Sequence, residues 1–147
     1  MATTTTTDSS AIFDEIKNFI GFGDDDVAAL KSLAPVFAAR GAALTDAFYV
    51  KLASNPEQNR LIEGRVDALK RTHNRWMSEL FAGEYGEAYF QNRWKIGLAH
   101  VRVGVRPWWV EAVTSFLRTE GVALLAAEIA DPEQRTRCAQ ALVKILD

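Results

Sequence analysis

The strongest limit on how this chain can fold is the spacing of its apolar residues, which recur every three or four positions through nearly every segment. Ile12, Phe13, Ile16, Phe19 and Ile20 make such a stripe in a short first helix. It starts at Asp8 or Ser9 and stops at Gly21-Phe22-Gly23. Asp24, Asp25 and Asp26 open the next helix, where carboxylates suit the positive end of the helix dipole. Pro35 removes a backbone donor and is expected to break or bend that helix. Helix then runs over residues 36–53, with Phe37, Gly41, Leu44, Phe48 and Leu52 on one face, and Gly41 there predicts a close helix crossing. Asn55-Pro56-Glu57-Gln58 and Asp131-Pro132-Glu133-Gln134 each pair an N-cap residue with Pro at the first helical position, marking two helix starts. Further helices are predicted over 65–81, 85–103 and 107–130, closed in two cases by Gly83 and Gly104. No alternating strand pattern interrupts them. The expected class is all-α, with seven or eight helices.

A chain of 147 residues, 48% apolar, suits one domain with a real core. Seventeen Lys and Arg against 19 Asp and Glu leave a net charge of −2, which argues against a general nucleic-acid binder. No window approaches ~18 consecutive apolar residues, so no membrane span is expected. The N-terminus lacks the basic and apolar regions of a signal peptide, and a cytoplasmic compartment follows as the default. The low-complexity Thr3 to Thr7 run predicts a disordered tail over 1–8 ahead of a domain over 9–147. Cys138 is the only cysteine, which excludes an intrachain disulfide, a cysteine-based zinc site and covalent heme attachment. With two histidines, any metal chemistry rests on very few ligands. The last helix meets no Gly or Pro stop at Val143-Lys144-Ile145-Leu146-Asp147, the pattern of an excised domain whose helix continues.

His100 lies in an aliphatic stretch, with Arg93, Ile96, Gly97 and Val103 on its side of the helix. It reads either as a core histidine bonded to a backbone carbonyl or as an axial ligand to heme iron, with Gly97 letting a flat macrocycle approach. His73 falls in the Val66, Leu69, Met77, Leu80 stripe and so also points inward, as a structural histidine or a second iron ligand. Tyr49 adjoins the Phe48 stripe, with Thr45 one turn earlier. Its hydroxyl bonds a carbonyl or, in a heme pocket, donates to a bound gas, worth ~1.5–3 kcal/mol. Trp76, Trp94, Trp108 and Trp109 read as packing anchors and Cys138 as a small core residue. Gly21-Phe22-Gly23 follows no strand, so it is not a dinucleotide loop. There is no Ser-His-Asp set and no paired-carboxylate signature.

These residues together resemble the heme domains of globin-coupled sensors, with protoglobins and single-domain sensor globins as relatives. The resemblance covers nearly the whole chain. Its most specific stretch is Arg93-x-x-Ile96-Gly97-x-x-His100-x-x-x-Gly104-Val105-x-Pro107-x-Trp109, similar to the family's proximal-helix motif. Leu80-Phe81-Ala82-Gly83-x-Tyr85 resembles the turn before that helix, and Ala47-Phe48-Tyr49 with Asn55-Pro56 resembles the segment supplying the distal tyrosine. The resemblance implies a globin-like helical sandwich with an extra N-terminal helix, holding heme b. It implies His100 as the proximal iron ligand, Tyr49 as the distal donor and Leu69 as the distal apolar gate, with Phe48, Val66, Ile96, Gly97 and Val103 lining the cofactor. His73, one turn beyond Leu69, either ligates iron when no gas is bound or points past the heme edge toward a propionate.

By the same resemblance the chain is a sensor of dioxygen, with carbon monoxide and nitric oxide as competitors, rather than an enzyme. It would dimerise through its last two long helices, with Val113, Phe116, Leu117, Val122, Leu142, Ile145 and Leu146 as candidates for the interface, and signal to a C-terminal output module absent from this sequence. Two other readings stay open here: a globin acting as a nitric oxide dioxygenase or oxygen carrier, and a cofactor-free helical dimerisation module.

Overall fold

A computed structural model describes residues 9–147. Among them are seven helices and no strand: α1 (Ser9–Ile20), α2 (Asp24–Ser54), α3 (Pro56–Ile62), α4 (Val66–Glu79), α5 (Glu87–Val103), α6 (Pro107–Glu128) and α7 (Pro132–Leu146). The expected disordered tail over 1–8 lies outside the described residues. The caps behave as their residue types require. Asn55 Oδ1 accepts from the Gln58 backbone N–H at 3.1 Å, and Asp131 Oδ2 accepts from that of Gln134 at 2.8 Å. Asp26 reaches back to the Gly23 N–H at 3.0 Å and completes the start of α2.

α2 is the central helix, packed on α3, α4, α6 and α7. It runs unbroken through Pro35, contrary to a break there. Pro35 itself is exposed, whereas Leu33 and Phe37 beside it are buried at 1% and 7% exposure. Their packing holds the helix across a position where an interior proline costs about 3 kcal/mol. By length and composition α2 is apolar enough to cross a membrane; here its apolar residues pack on the other helices.

One cluster joins α2, α4, α6 and α7 through Leu30, Leu33, Phe37, Met77, Leu125, Ala141 and Leu142, with Phe81 stacked on Phe37 at 4.2 Å between centroids. Cys138 belongs to this core at 1% exposure. Gly121 of α6 sits against Leu142 so closely that a Cβ there would lie 2.8 Å from Leu142 Cδ2. The turn after α4 is pinned by Tyr85, whose hydroxyl donates to the Leu80 carbonyl at 2.5 Å and whose ring meets Phe22 edge-on. α5 therefore starts at Glu87, two residues later than the spacing suggested, because Tyr85 is spent on the core. α1 packs on the start of α5, where Phe13 stacks on Phe90 at 4.9 Å and Lys17 donates to the Tyr85 carbonyl at 3.0 Å.

Six of the seven residues expected at an α6–α7 interface are instead drawn inward. Leu117 and Leu142 are core, Ile145 and Leu146 pack against it, and Val113 and Phe116 cover the Phe48 and Tyr49 region. Val122 alone is exposed, at 41%.

Candidate functional site

A second, smaller apolar cluster lies where α2, α3, α4 and α6 meet. It contains Phe48, Tyr49 and Ile62, with Leu52, Val66, Leu69, Val113 and Phe116 packed against them. At Gly41 α4 packs close to α2, as its place in the stripe predicted: a Cβ there would lie 3.0 Å from Met77 Sδ. One turn before Met77, His73 enters an aromatic nest. Its ring lies 5.0 Å from Phe48, 5.3 Å from Trp76 and 6.2 Å from Tyr49, the last edge-on. Burial lowers its pKa to about 4, so the ring is neutral at pH 7. His73 Nδ1 bonds Thr45 Oγ1 at 2.9 Å, and that hydroxyl donates to Asn74 Oδ1 at 2.7 Å. His73 Nε2 is buried with no hydrogen-bond partner. Such an orphan in an apolar nest is unfavourable unless something fills the position.

Tyr49 is 8% exposed, and burial pushes its pKa up to about 12. The hydroxyl therefore stays protonated at pH 7. The Tyr49 ring stands edge-on to His73, and its hydroxyl, unlike His73 Nε2, is not sealed from solvent.

His100 is found elsewhere, on the C-terminal half of α5, and it is exposed. The reading of a core histidine is therefore wrong, although the backbone bond exists: Nδ1 pairs with the Ile96 carbonyl at 2.9 Å. A carbonyl only accepts, so Nδ1 is the donor of this bond and carries a proton. Around it Ile96 is half-buried, Gly97 is exposed and Val103 is 45% exposed. A Cβ on Gly97 would meet nothing within 4 Å. Trp94, Leu98 and Val101 of α5 and Trp108 of α6 are also open, at 59%, 42%, 73% and 58% exposure, so Trp94 and Trp108 are not packing anchors in this structure. Phe48, Tyr49, Val66, Leu69 and His73 are thus gathered in one cluster, while Ile96, Gly97, His100 and Val103 form a separate, uncovered side of α5.

The start of α5 is held to the end of α4 by a polar tie that sequence spacing did not reveal. Arg93, 17% exposed, bonds Glu79 at 2.7 Å and the Trp76 carbonyl at 3.2 Å, and its guanidinium lies 4.1 Å from the Tyr89 ring centroid. Asn92 adds a bond to the same Glu79 carboxylate at 2.9 Å. Arg93 was visible as a neighbour on the His100 face, but its partners lie 14 and 17 residues back, across a turn. A roomier depression of about 390 Å³ lies among Gly21, Asp24, Asp25, Arg137 and Lys144. It has no histidine and little apolar wall, and Lys144 already closes on Asp26 and the Gly21 carbonyl.

The Protoglobin family model matches residues 9–147. This chain belongs to the protoglobin family. The globin domain of a Geobacter sulfurreducens globin-coupled sensor is 36% identical and superposes with a TM-score of 0.87, covering 91% of this chain and 90% of that one. The ferric globin domain of E. coli DosC superposes at 0.77 over 93% of each chain; at 15% identity this speaks to the fold alone. The heme-based aerotactic transducer HemAT of Halobacterium salinarum is 34% identical over 93 residues, 61% of this chain. The match spans only 19% of that transducer's length. The fold is therefore a globin fold, and the chain is a globin domain of globin-coupled-sensor type. That fold implies heme.

Proposed function

We propose that this protoglobin-family domain is a heme-based gas sensor holding heme b between the His73 cluster and the open side of α5. The observation that carries the reading is the state of the two histidines. Each has Nδ1 engaged, one by a hydroxyl and one by a carbonyl, which leaves Nε2 as the nitrogen available to a ligand, buried in His73 and on an exposed residue in His100. Ligating histidines commonly show this arrangement, with the second ring nitrogen fixed by a hydrogen bond. The surroundings also fit a flat apolar group. Phe48, Val66 and Leu69 would offer one wall and Ile96 and Val103 another, with Gly97 adding no side chain to the face of α5.

When bound, heme iron supplies a reversible site for a diatomic gas. His100 would hold it as the proximal ligand. Tyr49 would donate its proton toward the gas position and favour dioxygen over carbon monoxide. Leu69 would limit access. His73, with a buried and unpartnered Nε2 among aromatic rings, suits the resting sixth ligand better than a contact to a solvent-facing propionate. Gas entry would then require His73 to yield, and the equilibrium would shift by the difference in affinity between the two arrangements.

A second copy of the chain is the proposed partner. Along one side of α6 the exposed residues Trp108, Ala112, Ser115, Thr119, Val122 and Ala126 recur at alternating four- and three-residue steps, the spacing of a helix-pair seam. Of the residues expected from the sequence, Val122 lies on this seam. Such a dimer would carry the heme state to a C-terminal output module in a longer protein; the domain itself would sense rather than catalyse, in the cytoplasm.

The test is the absorption spectrum of the ferric protein. A low-spin, six-coordinate form with split visible bands is expected, converting to high-spin when His73 becomes Ala. A colourless protein that takes up no heme rejects the reading.

A further inference from the structure

We infer that Thr45 is a positioning residue that fixes the tautomer of His73 and thereby makes it a competent iron ligand; this rests on the heme reading above. Thr45 lies fully inside the protein at 0% exposure, on the α2 face that meets α4. Its one hydroxyl proton has two neighbours, His73 Nδ1 at 2.9 Å and Asn74 Oδ1 at 2.7 Å. A carbonyl oxygen cannot donate, so the proton goes to Asn74. Thr45 Oγ then has only lone pairs left for His73, and Nδ1 must carry the ring proton. Nε2 is left bare, buried and without a partner. A protonated Nε2 has no lone pair for a metal, so the direction of this chain of bonds decides whether His73 can ligate at all.

Asn74 is the element that sets the direction. Were its amide turned over, Nδ2 would donate to Thr45, Thr45 would donate to Nδ1, and the proton would move to Nε2, where it blocks ligation. The resting sixth ligand is thus gated by an exposed amide one residue along α4 from the histidine. Thr45 has no role as a donor to the gas: its only proton is committed to Asn74. His100 needs no such device, because a backbone carbonyl already fixes its ring.

The experiment compares ferric, heme-loaded variants by absorption and electron paramagnetic resonance at one pH. Thr45→Val keeps the shape and removes the hydroxyl; the low-spin to high-spin ratio should fall roughly tenfold, the scale at which such supporting bonds act on metal ligands. Thr45→Ser should restore it. Asn74→Leu, at an exposed position that spares the fold, should also lower the ratio, whereas Asn74→Asp, which only accepts, should hold it. An unchanged ratio in Thr45→Val or Asn74→Leu with a full Soret band overturns the proposal, as does a lowered ratio that Thr45→Ser leaves unrestored. If Thr45→Val does not fold, the Asn74 pair decides alone. If the wild-type chain takes up no heme, the heme reading fails separately. The tautomer is then still decided by ¹⁵N resonance of the His73 ring in the heme-free protein: a proton on Nδ1 supports the proposal, and one on Nε2 overturns it.

Discussion

Replacing His73 by Phe should make the heme-free domain less sensitive to acid. In the folded chain the His73 ring sits among Phe48, Tyr49 and Trp76 with a hydroxyl as its only hydrogen-bond partner. No carboxylate among the described residues is paired with it, and burial lowers its pKa from 6.5 to about 4. Above pH 6.5 both folded and unfolded chains hold the ring neutral, and it adds no pH dependence. As pH falls below 6.5 the unfolded chain takes up a proton that the folded chain refuses, so stability is lost until about pH 4. Between pH 7 and pH 4.5 the loss from this one group is about 2.5 kcal/mol. Phe fills a similar space among the same rings and leaves Thr45 bonded to Asn74. Denaturant unfolding of both proteins at the two pH values isolates the term, because every other titrating group cancels in the difference. The wild type should lose about 2.5 kcal/mol more than His73→Phe. Equal losses would show that the ring is solvated and that its orphaned nitrogen is not buried.

Other consequences follow from single contacts. Gly121→Ala places a methyl 2.8 Å from Leu142 Cδ2, a side chain buried at 1% exposure that cannot give way; crowding of about 1–3 kcal/mol should outweigh a helix-propensity gain of about 1, lowering the calorimetric melting temperature. Gly41→Ala meets only the flexible Met77 thioether at 3.0 Å and should leave the melting temperature unchanged or higher. Arg93→Ala leaves the Glu79 carboxylate without its closest partner and unties α5 from α4; a loss of about 2 kcal/mol is expected in chemical denaturation, and a change below about 0.5 would show that the tie is only a surface pair. Tyr49→Phe removes a hydroxyl that is not sealed from solvent, so stability should hold while dioxygen dissociation, followed by stopped flow, quickens roughly 10- to 100-fold.

What the sequence made legible was local. The two capping segments, the Phe37–Gly41–Phe48 stripe and the inward direction of His73 all depend on residues within one or two turns, and each stands in the structure. Spacing alone could not weigh packing against a broken bond, so it overstated Pro35, which Leu33 and Phe37 carry through. It could not tell core from interface on α6 and α7, since a leucine reads the same on either face. It also placed His100 among aliphatic neighbours without revealing that this side of α5 is uncovered. The bonds that orient His73 and anchor Arg93 join residues 14 to 29 positions apart and depend on which helices cross, which no single-helix pattern encodes.

The most direct measurement is heme uptake by His100→Ala. With His73 the one histidine left, its ring held inside the aromatic nest, the variant should lose the stoichiometric Soret band that the unmodified protein shows on reconstitution, while its helical circular dichroism remains. A variant that still takes up one equivalent of heme with an unaltered spectrum would contradict the assignment of His100 as the residue that holds the iron.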